Sequence, residues 1–125
     1  MEIVTVFYVK SGGKAPAEEY LKGLKNKKHL AKIVAMIDKL QERGGKLPEP
    51  YAKKVVDKIW ELRFYFGGRI FYFSRIGQKI VLLEGITKKR DKISSQDLER
   101  IQEYYKDYLT NLREKGYDSK LYHKT

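Results

Sequence analysis

Cysteine is missing from this sequence, and histidine, with two residues, proline, with three, and tryptophan, with one, are scarce. Without a thiol the chain has no disulfide framework, no thiolate nucleophile and no cysteine-ligated metal centre. The histidines, His29 and His123, fall at a helix start and in the tail. They form no pair at metal-ligand spacing, and both read as noncatalytic. Also missing are a glycine-rich nucleotide loop, a nucleophile elbow and a zinc deaminase signature. The acidic residues are scattered and offer no cluster for two divalent ions. No cofactor and no metal are therefore expected. Apolar runs stay far below the roughly 20 residues that cross a bilayer, and residues 1–8 lack the basic start and apolar stretch of a secretory signal. A cytoplasmic protein with no membrane partner is the expectation.

Negative charge is the other shortage. Sixteen acidic side chains stand against 27 basic ones in 125 residues, a formal charge of +11. Solubility alone favours a magnitude of only about 2 to 8 in a small domain. Such an excess repels itself unless it meets counter-charge. Nucleic acid is the first candidate, an acidic protein the second, and a lysine-rich, thermophile-like surface the plain alternative. The length suits one domain, and 42% apolar residues with 13% aromatics supply its core.

Periodicity gives the order of elements. Residues 3–9 are β-branched and aromatic and end at Ser11-Gly12-Gly13, which predicts a buried strand closed by a turn. Pro16 with Glu18 and Glu19 suits the first turn of a short helix over residues 15–24. Asn26 can cap a second helix in which Leu30, Ile33, Ile37 and Leu40 form one apolar stripe, stopped by Gly44-Gly45. Residues 58–66 then alternate with period two: Ile59, Glu61, Arg63 and Tyr65 on one face, Trp60, Leu62, Phe64 and Phe66 on the other. Gly67-Gly68 suits a hairpin turn, residues 69–75 return, and residues 79–86 read as a central strand. Whether residues 51–56 add a strand is open. Ser94 or Ser95 can cap a last helix whose apolar face carries Leu98, Ile101, Tyr105, Tyr108 and Leu112, running to about Lys115. The expected fold is α+β: a small, mostly antiparallel sheet with an N-terminal helical hairpin and a C-terminal helix. Residues 1–116 form the domain and residues 117–125 a polar tail that frays. Trp60 is expected on the packed face and Arg63 on a partly charged one.

Basic groups gather on and beside the sheet. Lys53, Lys54, Lys58, Arg63, Arg69, Arg75 and Lys79 are followed by Lys88, Lys89, Arg90 and Lys92 in the connection to the last helix. A shallow cationic surface edged by Tyr65 and Tyr72 suits a single-stranded polynucleotide. The alternative is that Arg63 pairs with a carboxylate, through Glu61 or Glu84, and holds the sheet together. A rigid cationic loop at residues 87–92 can hold a phosphate and stabilise extra negative charge on it.

Three strings in order carry a resemblance. Trp60-Glu61-Leu62-Arg63, then Arg69-Ile70-Phe71-Tyr72-Phe73, then Ile80-Val81-Leu82-Leu83-Glu84-Gly85-Ile86-Thr87-Lys88-Lys89 with Lys92 resemble phage-derived, HigB-like toxins of the RelE/ParE superfamily. The resemblance implies a RelE-like fold and the toxin of a toxin-antitoxin pair. It also implies a cognate antitoxin partner of the helix-turn-helix kind, and ribosome-dependent, metal-independent cleavage of mRNA. Arg63, Lys88, Lys89 and Lys92 match its catalytic basic positions; Lys58, Tyr65, Arg69, Tyr72, Arg75 and Arg90 are candidates for RNA binding. The chain departs from the pattern at Glu84, where relatives often have histidine, and in lacking Tyr or His over residues 88–95. A noncatalytic toxin or regulator, including a ParE-like gyrase inhibitor, is the other reading, since fold does not choose between activities.

Overall fold

The computed structural model describes residues 3–75, 79–88, 92–115 and 120–122. Strand β1 (Val4–Phe7) precedes helices α1 (Pro16–Gly23) and α2 (Lys27–Glu42). Strands β2 (Ala52–Val56), β3 (Ile59–Arg63), β4 (Gly68–Arg75) and β5 (Lys79–Thr87) follow, then α3 (Ser95–Lys115) and the two-residue β6 (Lys120–Leu121). Local chemistry sets the ends. Asn26 Oδ1 accepts from the amides of Lys28 and His29 at 2.9 and 3.2 Å, satisfying donors that a first helical turn leaves open. Ser94 Oγ does the same for the Asp97 amide at 3.1 Å. Gly44 and Gly45 leave α2 with φ of 71° and 92°, the region where a Cβ is strained.

One mixed sheet results, in the order β2-β3-β4-β5-β1-β6. β2 through β5 form an antiparallel meander, and residues 51–56 do contribute its edge strand. β1 joins β5 in parallel, Val6 beside Val81, and so makes β5 a central strand. The tail, expected to fray, instead lays β6 antiparallel to β1, and Tyr122 packs edge-on against Phe7 at 5.5 Å.

Both faces of the sheet are packed, which corrects the expectation of one covered and one charged face. On the first, Leu62, Ile70, Tyr72, Ile80 and Leu82 meet Ala17 and Leu21 of α1 and Ile33, Ile37 and Leu40 of α2. On the second, Ile59, Phe71, Phe73, Val81 and Leu83 meet Ile101 and Tyr108 of α3. An alternating strand with apolar side chains on both faces needs a layer on each side.

Trp60 is the second correction. It stands opposite Tyr72 on the hairpin-covered face, yet it is 37% exposed where Tyr72 is 1% exposed. Its other cross-strand neighbour is Lys54 of the edge strand. Alternation fixes which face a side chain takes, not how far the helices above extend toward the edge. The indole emission of the folded protein is accordingly expected to be substantially quenched by acrylamide. A blue-shifted emission that the quencher cannot reach would contradict this placement.

Candidate functional site

The face under α3 stays polar at one end. Across β3, β4 and β5 the register puts Glu61, Phe71 and Glu84 in one row and Arg63, Arg69 and Ile86 in the next. Beyond them the Lys88 amide donates to the Gly67 carbonyl at 2.7 Å, tying the end of β5 to the β3–β4 turn. Gly67 has φ 89°, and a Cβ there would strike the Lys88 carbonyl, so glycine is required twice over. Arg63, Arg69 and Lys88 thus share one end of the sheet.

Glu61 organises the arginines. Its Oε1 lies 3.3 Å from Arg63 Nε and its Oε2 3.6 Å from Arg69 Nη1. The side chains of Glu61 and Arg69 are 7% and 5% exposed, that of Arg63 28%. Burial raises the Glu61 pKa, while Arg69, Arg63 and Lys53 pull it back. Three cations around one carboxylate leave the locus net positive. Glu61 Oε2 accepts no hydrogen bond among the described residues. Arg69 is therefore an internal strut and not the exposed RNA contact expected of it, because its strand position lies under cover. Arg63 is the half-exposed member. It does pair with Glu61, as the structural alternative held, and that pairing fixes its guanidinium while leaving part of it at the surface.

Lys88 is placed by a second network. Its Nζ pairs with Asp97 Oδ2, Asp97 Oδ1 accepts from Arg100 Nη2 at 2.9 Å, and Arg100 Nε donates to Glu84 Oε2 at 3.1 Å. The Gly85 amide donates to Glu84 Oε1 at 3.0 Å. Burial raises the Glu84 pKa against the pull of that amide and of Arg100. The Lys88 ammonium, with Ser94 and Arg100, holds the Asp97 carboxyl below its ordinary value. The first turn of α3 is thereby clamped to the end of β5, with Lys88 as the terminal cation of the chain of pairs.

The remaining candidates divide. Tyr65, in the β3–β4 turn, is 78% exposed. Lys92 is exposed in the bend before α3. Tyr72 is in the core on the hairpin face, which corrects its assignment as an RNA contact: it is buried against apolar side chains, and desolvation drives its phenol pKa upward. Lys58 and the backbone of Arg75 lie at the opposite ends of β3 and β4 from Arg63 and Arg69, so the fold does not bring them to this site. The Arg75 side chain, Lys89 and Arg90 lie outside the described residues.

Sequence reasoning missed Asp97 and Arg100, whose roles need the helix to be docked. It also missed Tyr51, which is 49% exposed and whose carbonyl accepts from the Arg63 amide at 3.1 Å. The arrangement can bind a phosphate with fixed, partly desolvated cations and offset negative charge developing on it. Among the described residues no three His, Asp or Glu side chains are grouped to hold a metal ion, and no helix is long and apolar enough to cross a membrane.

The family described as phage derived protein Gp49-like (DUF891) matches residues 19–106 of the 125. The chain belongs to this Gp49-like family. The matched segment runs from α1 into α3 and contains both ion networks of this Gp49-like protein; β1 and β6 fall outside it. No curated protein matches the chain.

Proposed function

We infer that this Gp49-like protein is the RNA-cleaving toxin of a toxin-antitoxin pair, with a RelE-like fold, acting on mRNA at the ribosome. The observation that carries the reading is that Arg63 and Lys88 stand at one end of the sheet, each paired with a carboxylate and each still partly exposed. A neutral binding domain has no need of two cations held in register by separate ion networks. The reaction is attack of a ribose 2′-hydroxyl on the adjacent phosphorus. The 2′-oxygen–phosphorus bond forms as the 2′-hydroxyl gives up its proton, and the phosphorus–5′-oxygen bond breaks as the leaving oxygen takes one up, leaving a 2′,3′-cyclic phosphate and a 5′-hydroxyl. Arg63 and Lys88 meet the phosphoryl oxygens and stabilise the charge they gain. Lys92, exposed at the head of α3, and Lys89 complete the basic segment. An acidic antitoxin covering this end would silence the protein by charge and by occlusion.

Purified protein added to translating ribosomes is expected to generate new 5′-hydroxyl mRNA ends over repeated turnovers. Mapping those ends while following translation separates cleavage from blockade. Arrest of translation with no new ends would instead support a binding toxin, and arrest of DNA gyrase alone would support the gyrase reading.

A further inference from the structure

Among the described residues β1 and β5 are the one parallel pair of the sheet. Their ladder ends where the Tyr8 amide donates to the Leu82 carbonyl at 2.9 Å. From there the chain leaves β1 for α1, on the face of Ala17 and Leu21, while β5 runs on and the chain returns as α3, on the face of Ile101 and Tyr108. Neighbouring parallel strands whose chains part to opposite faces leave a crevice at their carboxyl ends, the place where open sheets take their ligands. A cavity of about 350 Å³ lies there, a volume within the range of small-molecule sites.

Lys10 and Lys14, Glu19 and Tyr20 of α1, Glu84 of β5 and Tyr104 of α3 all line it. Both rings are held. Tyr20 lies so close over Gly85 that a Cβ there would strike its ring, and its hydroxyl shares a hydrogen bond with Thr87 Oγ1 at 2.7 Å. Tyr104 packs on the buried Tyr8 with centroids 5.0 Å apart. The lysines stand on a closed turn, in which the Lys10 amide donates to the Lys14 carbonyl at 2.7 Å. Both are exposed, and among the described residues neither is ion-paired with a carboxylate, in contrast to Arg63, Lys88 and Arg100. Lys10 Nζ instead stands over the Tyr104 ring, 5.7 Å from its centroid. Glu84 accepts from the Gly85 amide and from Arg100 Nε, but a carboxylate offers about four acceptor sites, so capacity remains.

These walls ask for a ligand with three parts: a flat ring for the tyrosines, a hydrogen-bond donor edge for the carboxylates and negative charge for the unpaired lysines. A guanine nucleotide has all three. Guanine sets two adjacent N–H donors on its Watson–Crick edge, which one carboxylate can accept together; uracil sets a single donor between two carbonyl oxygens, which a carboxylate repels. We propose that the crevice between the carboxyl ends of β1 and β5 is a guanine nucleotide site, with the base on Tyr104, its donor edge on Glu84 and its phosphate on Lys10 and Lys14. A base taking the ring face that Lys10 covers frees that ammonium for the phosphate. The crevice opens beside β5, two strands from Arg63 on β3, so the site does not depend on the cleavage reading. The same chemistry is offered by a free guanosine nucleotide and by a guanosine within an RNA strand.

Calorimetric titration of the full-length protein with guanosine 5′-monophosphate at low salt is expected to show saturable binding. Inosine 5′-monophosphate, which lacks the amino donor, should bind about 10-fold more weakly, the effect of one hydrogen bond to a charged group, and uridine 5′-monophosphate more weakly still. Lys10→Ala with Lys14→Ala, at two exposed positions, should lose about 10-fold for the nucleotide and keep wild-type affinity for the nucleoside guanosine. Tyr104→Leu should weaken both about 10-fold, as the loss of one base–aromatic stack does. Equal affinity for the three nucleotides overturns the proposal, as does a lysine variant that loses guanosine and its nucleotide alike. So does a wild type that binds none of them and no guanosine-containing strand, which leaves the crevice to a protein side chain. A 2′-O-methyl oligouridylate carrying one guanosine separates the two sources: tighter binding than the free nucleotide, lost when uridine replaces the guanosine, assigns the site to RNA, and affinity no better than the nucleotide's assigns it to the free ligand. None of these readouts involves cutting, so failure here leaves the cleavage reading standing, and absence of 5′-hydroxyl ends leaves this site standing.

Discussion

Arg63→Ala is expected to lower mRNA cleavage by about 10²-fold or more while leaving the fold intact. The magnitude is that of removing one positioned donor from a charged transition state. The fold should survive because Glu61 keeps Arg69 as its buried partner, at 3.6 Å, and the Arg63 side chain is already 28% exposed. Arg63→Lys should recover little, since an ammonium cannot reproduce the planar fork that a phosphate engages. Lys39→Ala, at an exposed helical position, should change cleavage by much less and serves as the control for overall charge. Rates within threefold of wild type for Arg63→Ala, with unchanged circular dichroism, would remove Arg63 from the chemistry.

The second large effect is on stability. Glu61→Lys replaces the carboxylate with a cation beside a buried guanidinium. The expected loss is about 3 kcal/mol, the lower end of what breaking a buried pair costs, because the contact is long and not a hydrogen bond. The double variant Glu61→Leu with Arg69→Met should regain most of it, since apolar substitutes escape the desolvation of both charges. The pH dependence has a definite sign. Burial lifts the Glu61 pKa above its ordinary 4.5, so the folded chain holds that proton more tightly than the unfolded one. As pH falls from neutrality through the raised value toward 4.5, Glu61 therefore adds stability. The stability of wild type relative to Glu61→Gln, the isostere of the protonated acid, should rise on acidification, although a plain ion pair would make it fall. Asp97, with a lowered pKa, runs the other way and gives up its contribution as pH falls below the ordinary carboxylate range. Urea titrations of wild type and Glu61→Gln at neutral and mildly acidic pH decide the matter: a relative stability of wild type that falls on acidification would mean pairing, not burial, governs Glu61.

What the sequence made legible was local. Asn26 and Ser94 act as caps, Gly67 as the turn residue and Leu62 as a core position, because each depends on neighbours within a few residues. The period of two separated Arg63 from Leu62 correctly. It could not tell that α3 would cover the arginine face too, nor that β1 would enter beside β5, since those depend on contacts between distant segments. Tyr72 and Arg69 were misjudged for that reason: their strand is flanked on both sides and capped on both faces, so its polar-looking members are internal. A register shift between Phe71 and Tyr72 also lets Glu84 sit across from Phe71. Asp97 and Arg100 looked like ordinary charges of a first helical turn until Lys88 and Glu84 were found beside them.

The placement of β1 bears on the order in which the molecule becomes itself. Val4 has to wait for Lys79, and Val6 for Leu121, before either edge of that strand is paired. Pairings between such remote stretches form slowly, because loop closure must be achieved before any ladder bond rewards it. The meander that holds Arg63 and Lys88, by contrast, is built from neighbouring segments. During synthesis the basic end of the sheet can therefore take shape first, while a row of unpaired amides on β5 still awaits its earliest-made strand. Any ligand that gripped that open edge would catch the protein during its assembly and not after it.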